Sequence, residues 1–220
     1  MKQSLQIFII SIIAFASGFS SAIAQDTDAN TLINTGIALE EAGDIAGAEK
    51  LYVQAGEMGL PKGWILAGNL YAPGFSSTPD AQKAIQYLEK GILYDQRATP
   101  LLAMTYYLGD QTTPPNYQKA LIYFKKASEM GMASANGLVG AIYVMGGYGV
   151  APDPDQALLW LMPAAENGDA NAMYNYGLLL INGTQSLEPD LREGLKYVKQ
   201  AAAKGHKGAQ KWLTDRGDNW

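Results

Sequence analysis

The feature that most restricts this 220-residue chain is a pattern that recurs five times at a period of 36 or 37 residues. With Ala48 as reference, the copies are Ala84, Ala120, Ala157 and Gly194, separated by 36, 36, 37 and 37 residues. Four positions before each stands Asp44, Asp80, Asn116, Asp153 or Asp190, and proline precedes the last four, at Pro79, Pro115, Pro152 and Pro189. Three positions after the reference come Leu51, Tyr87, Tyr123, Trp160 and Tyr197, and eleven after it Gly59, Asp95, Gly131, Gly168 and Gly205. Self-similarity at such a period marks an array whose units cannot bury their apolar faces alone and must stack.

Each element of the pattern has a mechanical reason. Proline blocks helix upstream, and the Asp or Asn side chain accepts from unpaired N–H groups of a helix that starts there. In "DPDQ" the signal is fullest, with Asp153 as cap, Pro154 as first helical residue and Gln156 as the reciprocal partner of a capping box. The helix that follows, helix B, runs about three turns with apolar positions 3, 4 and 7 apart and stops at the recurring glycine. Its aromatic position in a central copy, Trp160, is expected to be largely buried. A second helix, A, lies upstream in "LAGNLY", "LVGAIY" and "YNYGLLL", where Gly68, Gly140 and Gly177 let a neighbour approach closely. The expected hairpins span approximately 30–60, 61–95, 97–131, 134–168 and 171–205, followed by a terminal capping helix that includes Gln210–Arg216.

Residues 1–24 read differently. Lys2, the apolar run "IFIISIIAFA" and the small residues ending at Ala22-Ile23-Ala24 predict a cleaved secretory signal peptide, too short in its apolar core for a spanning helix. Residues 25–220 then form a single exported domain with no stable membrane insertion. Loss of Lys2 leaves 15 basic against 21 acidic residues, a net charge of −6. This acidic balance, with no cluster of Lys and Arg, argues against nucleic acid. The absence of cysteine excludes disulfides and thiolate zinc sites, so packing alone must stabilise the fold.

The segment Ala135 to Trp160 resembles the Sel-one-like repeat (SLR) family of tetratricopeptide-like proteins, following A-x-x-x-L-G-x-x-Y-x-x-G-x-G-V-x-x-D-x-x-x-A-x-x-W with Val139 for the leucine and one extra loop residue. The resemblance covers roughly residues 61–212. The first copy, Thr31–Gly59, departs from it: nine residues separate Leu39 from Ala48, whereas Tyr71 to Ala84 and Tyr143 to Ala157 span 13 and 14. It is expected to act as an N-terminal cap. The resemblance implies an all-α, right-handed α-solenoid of about five hairpins that binds a protein or peptide on the concave side lined by helix A. Carried over residue by residue, that groove comprises Lys62, Ile65 and Asn69, then Leu101 and Thr105, then Ala141, Val144 and Met145, then Asn171, Tyr174, Asn175 and Leu178.

Chemistry is sparsely marked. "GGYGV", residues 146–150, lacks the lysine and hydroxyl residue of a phosphate-cradling loop and a strand before it, and reads as the turn between helices A and B of the fourth hairpin. The recurring aspartates each sit in a separate hairpin and read as caps rather than metal ligands. The one histidine, His206, reads as a solvated loop residue, and the pair Glu40-Glu41 as a charged helix end. Asn182-Gly183-Thr184 fits a glycosylation acceptor. No catalytic residues, metal or cofactor are expected. Three functions remain: an exported, non-enzymatic adaptor or regulator in the bacterial envelope, with an envelope enzyme among its candidate partners; a periplasmic immunity protein that neutralises a secreted toxin such as a lipase; and, more distantly, a cell-wall hydrolase.

Overall fold

The computed structural model describes residues 28–219, so the expected signal peptide lies outside the described residues. The chain alternates short helices and loops and divides into two compact units at Ala98–Thr99. The first unit holds α1 (residues 28–41), α2 (Ile45–Glu57), α3 (Pro61–Asn69), α4 (Ala81–Ile92) and a 3₁₀ turn at Gln96–Ala98. The second holds α5 (Thr99–Leu108), α6 (Tyr117–Glu129), α7 (Ser134–Met145), α8 (Pro154–Glu166), α9 (Ala170–Asn182), α10 (Leu191–Ala203) and α11 (Lys207–Asp215). Odd-numbered helices are the expected A helices and even-numbered ones the B helices, giving an all-α solenoid of stacked hairpins. Among the described residues there is no β-strand, only an isolated bridge between Gly147 and Val150.

Every B helix starts as the sequence predicts. Asp44, Asp80, Asn116, Asp153 and Asp190 each accept, through a side-chain oxygen, the backbone N–H three residues on, at 2.9–3.0 Å. The caps' own N–H groups do a second job. They donate back to the end of helix A, to the carbonyls of Leu39, Tyr71, Tyr106, Tyr143 and Leu180, at 2.7–3.0 Å. The reciprocal role expected of Gln156 is thereby taken over, because the N–H of Asp153 is bonded to Tyr143. Four B helices stop at Gly59, Gly131, Gly168 and Gly205, all with φ between 89° and 92°, where a side chain would be strained.

The core corrects one expectation. The deepest B-helix position lies four residues after the reference, not three: Tyr52, Leu88, Phe124, Leu161 and Val198 are all at most 1% exposed. The aromatic residues one position earlier, Trp160 included, are only half-buried. Neighbouring positions on a helix differ by about 100° in direction, so one residue separates the centre of the apolar stripe from its edge. Trp160 instead lies under the Lys125 ammonium, 5.5 Å from the ring centroid.

The deep residue of each B helix fills the space left by a small residue on its own A helix. A Cβ added at Gly36 would stand 2.6 Å from Tyr52, and one at Gly68 2.6 Å from Leu88; Gly140 and Gly177 likewise face Leu161 and Val198. Ala103 holds this place in the third hairpin and is fully buried. Between hairpins the small residues are alanines: Ala135, Ala172 and Ala209 are all inaccessible. The terminal helix, capped at His206, takes in most of the expected Gln210–Arg216 segment and buries Ala209 and Leu213 against the last hairpin.

Candidate protein-binding surface

Helix A presents its expected groove residues unevenly. In the first unit Lys62 is exposed, and Ile65 and Asn69 are half-buried, with Ile65 against Gly91 of α4. In the second unit Met145 and Asn171 are exposed, whereas Leu101, Ala141, Val144, Tyr174, Asn175 and Leu178 are half-buried. Val144, Tyr174 and Leu178 pack on the core of that unit.

Thr105 is 1% exposed and offers no binding surface; its hydroxyl donates to the Leu101 carbonyl at 2.8 Å. The cause is loop length. Tyr71 and Asp80, which close the second hairpin, are nine positions apart, while Tyr106 and Asn116 of the third are ten apart. A constant 36-residue step therefore overshoots helix A by one, and the residue equivalent to Asn69 is Met104.

Tyr174, the most conspicuous groove candidate, has a neighbour that the sequence did not reveal. Its ring centroid lies 4.6 Å from that of His206. His206 is not a solvated loop residue: its Nδ1 accepts the Ala209 N–H at 2.9 Å and caps α11. Histidine is outside the usual cap residues, so its position after a glycine carried no signal for this role.

A second missed feature lies in the first unit. Glu49 on α2 accepts from the hydroxyls of Tyr71 and Tyr87, each at 2.7 Å, and from the Lys83 ammonium at 3.2 Å. Desolvation pushes its carboxyl pKa up, but the three donors outweigh it and hold the carboxyl below its ordinary range. Burial and then the hydrogen bond to Glu49 push the Tyr87 phenol up to about 12. In the second unit lysines bond the equivalent tyrosines: Lys119 to the Tyr106 hydroxyl at 2.8 Å and Lys125 to that of Tyr143 at 2.9 Å. Glu40, one of the paired carboxylates, accepts from Tyr52 at 2.7 Å and serves packing. Among the described residues no group of His, Asp and Glu is arranged to hold a metal ion.

The A–B loops of the second unit form an ordered edge. "GGYGV" closes as a two-residue hairpin turn, with Gly147 N–H donating to the Val150 carbonyl at 2.8 Å and Val150 N–H to that of Gly147 at 3.0 Å. Its two central residues, Tyr148 and Gly149, have φ of 46° and 86°, the pattern of a type I′ turn. Tyr148 is the only non-glycine residue with positive φ among the described residues. It meets Tyr117 edge to face at 4.9 Å, and Tyr117 stacks on Tyr107 at 5.3 Å. The Gln118 side chain ties the loop down by donating to the Gly149 carbonyl at 2.8 Å. The next loop is tied at the equivalent helix position, where Asp155 accepts from the hydroxyls of Ser186, at 2.6 Å, and Thr184. The Ser186 and Thr184 hydroxyls hold the Asp155 carboxyl below its usual range.

These features define a class: a helical-repeat protein with structural joints between hairpins and a decorated surface. The Sel1 repeat model matches residues 64–93, 101–132, 133–169 and 170–206, more than half of the chain, and the chain belongs to the Sel1 repeat family. The first hairpin lies outside the matched segments. Repeats of this family generally mediate protein–protein interaction. No curated protein matches the chain. A Sel1 repeat protein from Oxalobacter formigenes is 26% identical, over 84% of this chain and 77% of that one, with a TM-score of 0.58. The protective antigen c5321 of uropathogenic Escherichia coli, which displays an SLR fold, is 22% identical over 89% of this chain with a TM-score of 0.63, and this chain spans 44% of its length. Immunity protein Pa5087 from Pseudomonas aeruginosa is 22% identical over 82% of this chain and 67% of that one, but a TM-score of 0.38 leaves too little shared geometry for argument.

Proposed function

We propose that this Sel1 repeat protein is an exported, non-enzymatic adaptor or regulator of the bacterial envelope that binds another protein. The observation that carries the reading is the division of labour among side chains. Charged and polar groups such as Glu49, Lys119 and His206 are engaged in joints and caps, whereas Lys62 in the first unit and Met145, Asn171 and Tyr148 in the second stand exposed. Exposed polar and apolar side chains of this mixed kind suit recognition of a protein surface. Export rests on the signal-like residues 1–24.

The test is affinity capture from an envelope extract with the purified protein as bait. A specific envelope protein should be retained, and Asn171→Arg, at an exposed helix-A position, or Tyr148→Gly should release it. Retention of cytosolic proteins alone, or hydrolysis of wall glycan by the bait, would overturn the reading. Export is tested separately: the protein should leave the cytoplasm with Gln25 at its N-terminus. A second reading, a periplasmic immunity protein that blocks a toxin, draws on the protruding turn at Tyr148, whose shape suits insertion into a cleft. Its mark would be a toxin as the retained protein.

A further inference from the structure

Tyr148 stands where a tyrosine is disfavoured. Positive φ at the first central position of a type I′ turn suits glycine or asparagine, and a bulky residue there carries a cost in backbone strain. The ring is nevertheless 55% exposed, so burial of its apolar surface only partly offsets that cost. The turn holds the ring outward all the same. Its paired backbone hydrogen bonds, the Gln118 tether and the edge-to-face contact with Tyr117 fix one orientation. Burial, and then the neighbouring Tyr107 and Tyr148 phenols, raise the pKa of the Tyr117 hydroxyl.

The loops themselves are acidic, with the nearest basic residues in sequence, Lys119 and Arg192, in the first turns of the helices that follow. The three A–B loops of this unit, residues 109–116, 146–153 and 183–190, contain Asp110, Asp153, Glu188 and Asp190 and no lysine or arginine. Aromatic faces carry negative electrostatic potential, so exposed rings amid carboxylates form a surface that attracts cations. The whole chain, at net −5, adds a long-range field of the same sign that steers basic partners towards it.

We propose that the A–B loop edge of the second unit is a docking surface for a basic protein segment, which seats an arginine or lysine side chain against Tyr117 and Tyr148. This rests on the protein-binding reading above and gives that partner its chemistry. Arginine fits best: its planar guanidinium stacks on tyrosine, and its charge is drawn by the loop carboxylates, among them the exposed Glu188. A neutral proline-rich segment could use the rings but would gain nothing from the carboxylates, and nucleic acid would be repelled by them.

The experiment is selection of a random dodecapeptide library on the purified protein, followed by affinity measurement of the winners at low and high salt. Lysine and arginine should be enriched, and binding should weaken steeply with salt. Tyr148→Gly, which the turn geometry favours, should leave the melting temperature nearly unchanged while weakening the selected peptides roughly tenfold. Glu188→Gln should reduce the salt dependence. Enrichment of neutral proline-rich or acidic sequences would overturn the proposal. So would binding that survives Tyr148→Gly but is lost with Asn171→Arg, an exposed helix-A position; in that case the partner uses helix A, and the protein-binding reading stands without this one. Failure to select any peptide would count against both.

Discussion

The first and fourth hairpins close with the same joint and differ almost entirely in what the joint encloses. In the first, Asp44 N–H donates to Leu39 five residues earlier; in the fourth, Asp153 N–H donates to Tyr143 ten residues earlier, at 2.8 and 2.9 Å. Both caps accept the N–H three residues on at 2.9 Å. In each hairpin a helix-A glycine, Gly36 or Gly140, receives the deep side chain of helix B, Tyr52 or Leu161. Five added residues therefore leave the packing within the hairpin intact, because the joint bonds the loop's ends and not its middle. Doubling the closed span from five to ten residues costs only about 0.6 kcal/mol in entropy, so the fold tolerates it readily. The short loop of the first hairpin is a bare turn at Gly43 (φ 83°); the longer loop of the fourth displays Tyr148.

The sharpest way to break this comparison is to empty the shared core position. Leu161→Ala should destabilise the protein by about 2–5 kcal/mol in denaturant melts. Trp160→Ala, one residue earlier on the half-buried edge, should cost roughly half as much. If Trp160→Ala proves the costlier, the deep position belongs to the tryptophan and the parallel between Tyr52 and Leu161 fails.

A somewhat smaller effect separates the joints by chemistry. Glu49 holds two tyrosines and a lysine in the first unit, whereas in the second Lys119 bonds Tyr106 and Lys125 bonds Tyr143. Because the folded-state pKa of Glu49 is lowered, its contribution is present above the unfolded carboxylate value and is lost as pH falls through the folded one. Acidification below about pH 4 should therefore weaken the first unit first, as read by amide exchange at α2 and α4. Glu49→Ala, leaving two phenols without their acceptor, should cost about 1.5–3 kcal/mol at neutral pH. Equal acid sensitivity of exchange in α6 and α8 would show that the carboxylate joint is not what distinguishes the units.

How much of this was legible depended on how local the cause is. The caps at Asp44, Asp80, Asn116, Asp153 and Asp190 and the stops at Gly59, Gly131, Gly168 and Gly205 involve only residues within one turn, and sequence spacing carries them. Leu161 and Trp160 are both apolar neighbours, and only the neighbouring helices decide which is buried. Thr105 falls outside the groove because a single extra loop residue is invisible when the repeat is aligned on helix B. Glu49 and His206 act through partners brought together by stacking, Tyr87 being 38 residues from Glu49. The glycines around Tyr148 announced a turn, but its type and the tie from Gln118 are products of the fold.

If the joint is common to both hairpins, its removal should cost the same in each. Asp44→Ala and Asp153→Ala should each destabilise by about 1 kcal/mol, the usual worth of a helix N-cap, despite loops of such different length. A cost at Asp153 several times that at Asp44 would mean that the long loop depends on its cap in a way the short one does not. The two joints would then differ in strength as well as in the loop they enclose.

The smallest effect is expected where the two hairpins differ most. Tyr148→Asn replaces a strained residue with one that tolerates positive φ, so relief of backbone strain of about 1 kcal/mol should oppose the loss of the edge-to-face contact with Tyr117, about 0.5–1.5 kcal/mol. The net change in stability should lie within about 1 kcal/mol of zero. That near-cancellation is informative, since a residue whose removal leaves the fold unmoved is retained for something other than the fold. A loss above about 2 kcal/mol in thermal or denaturant melts would place the ring among the structural contacts of the hairpin. The fourth loop would then be a longer version of the first, with no surplus surface to offer a partner.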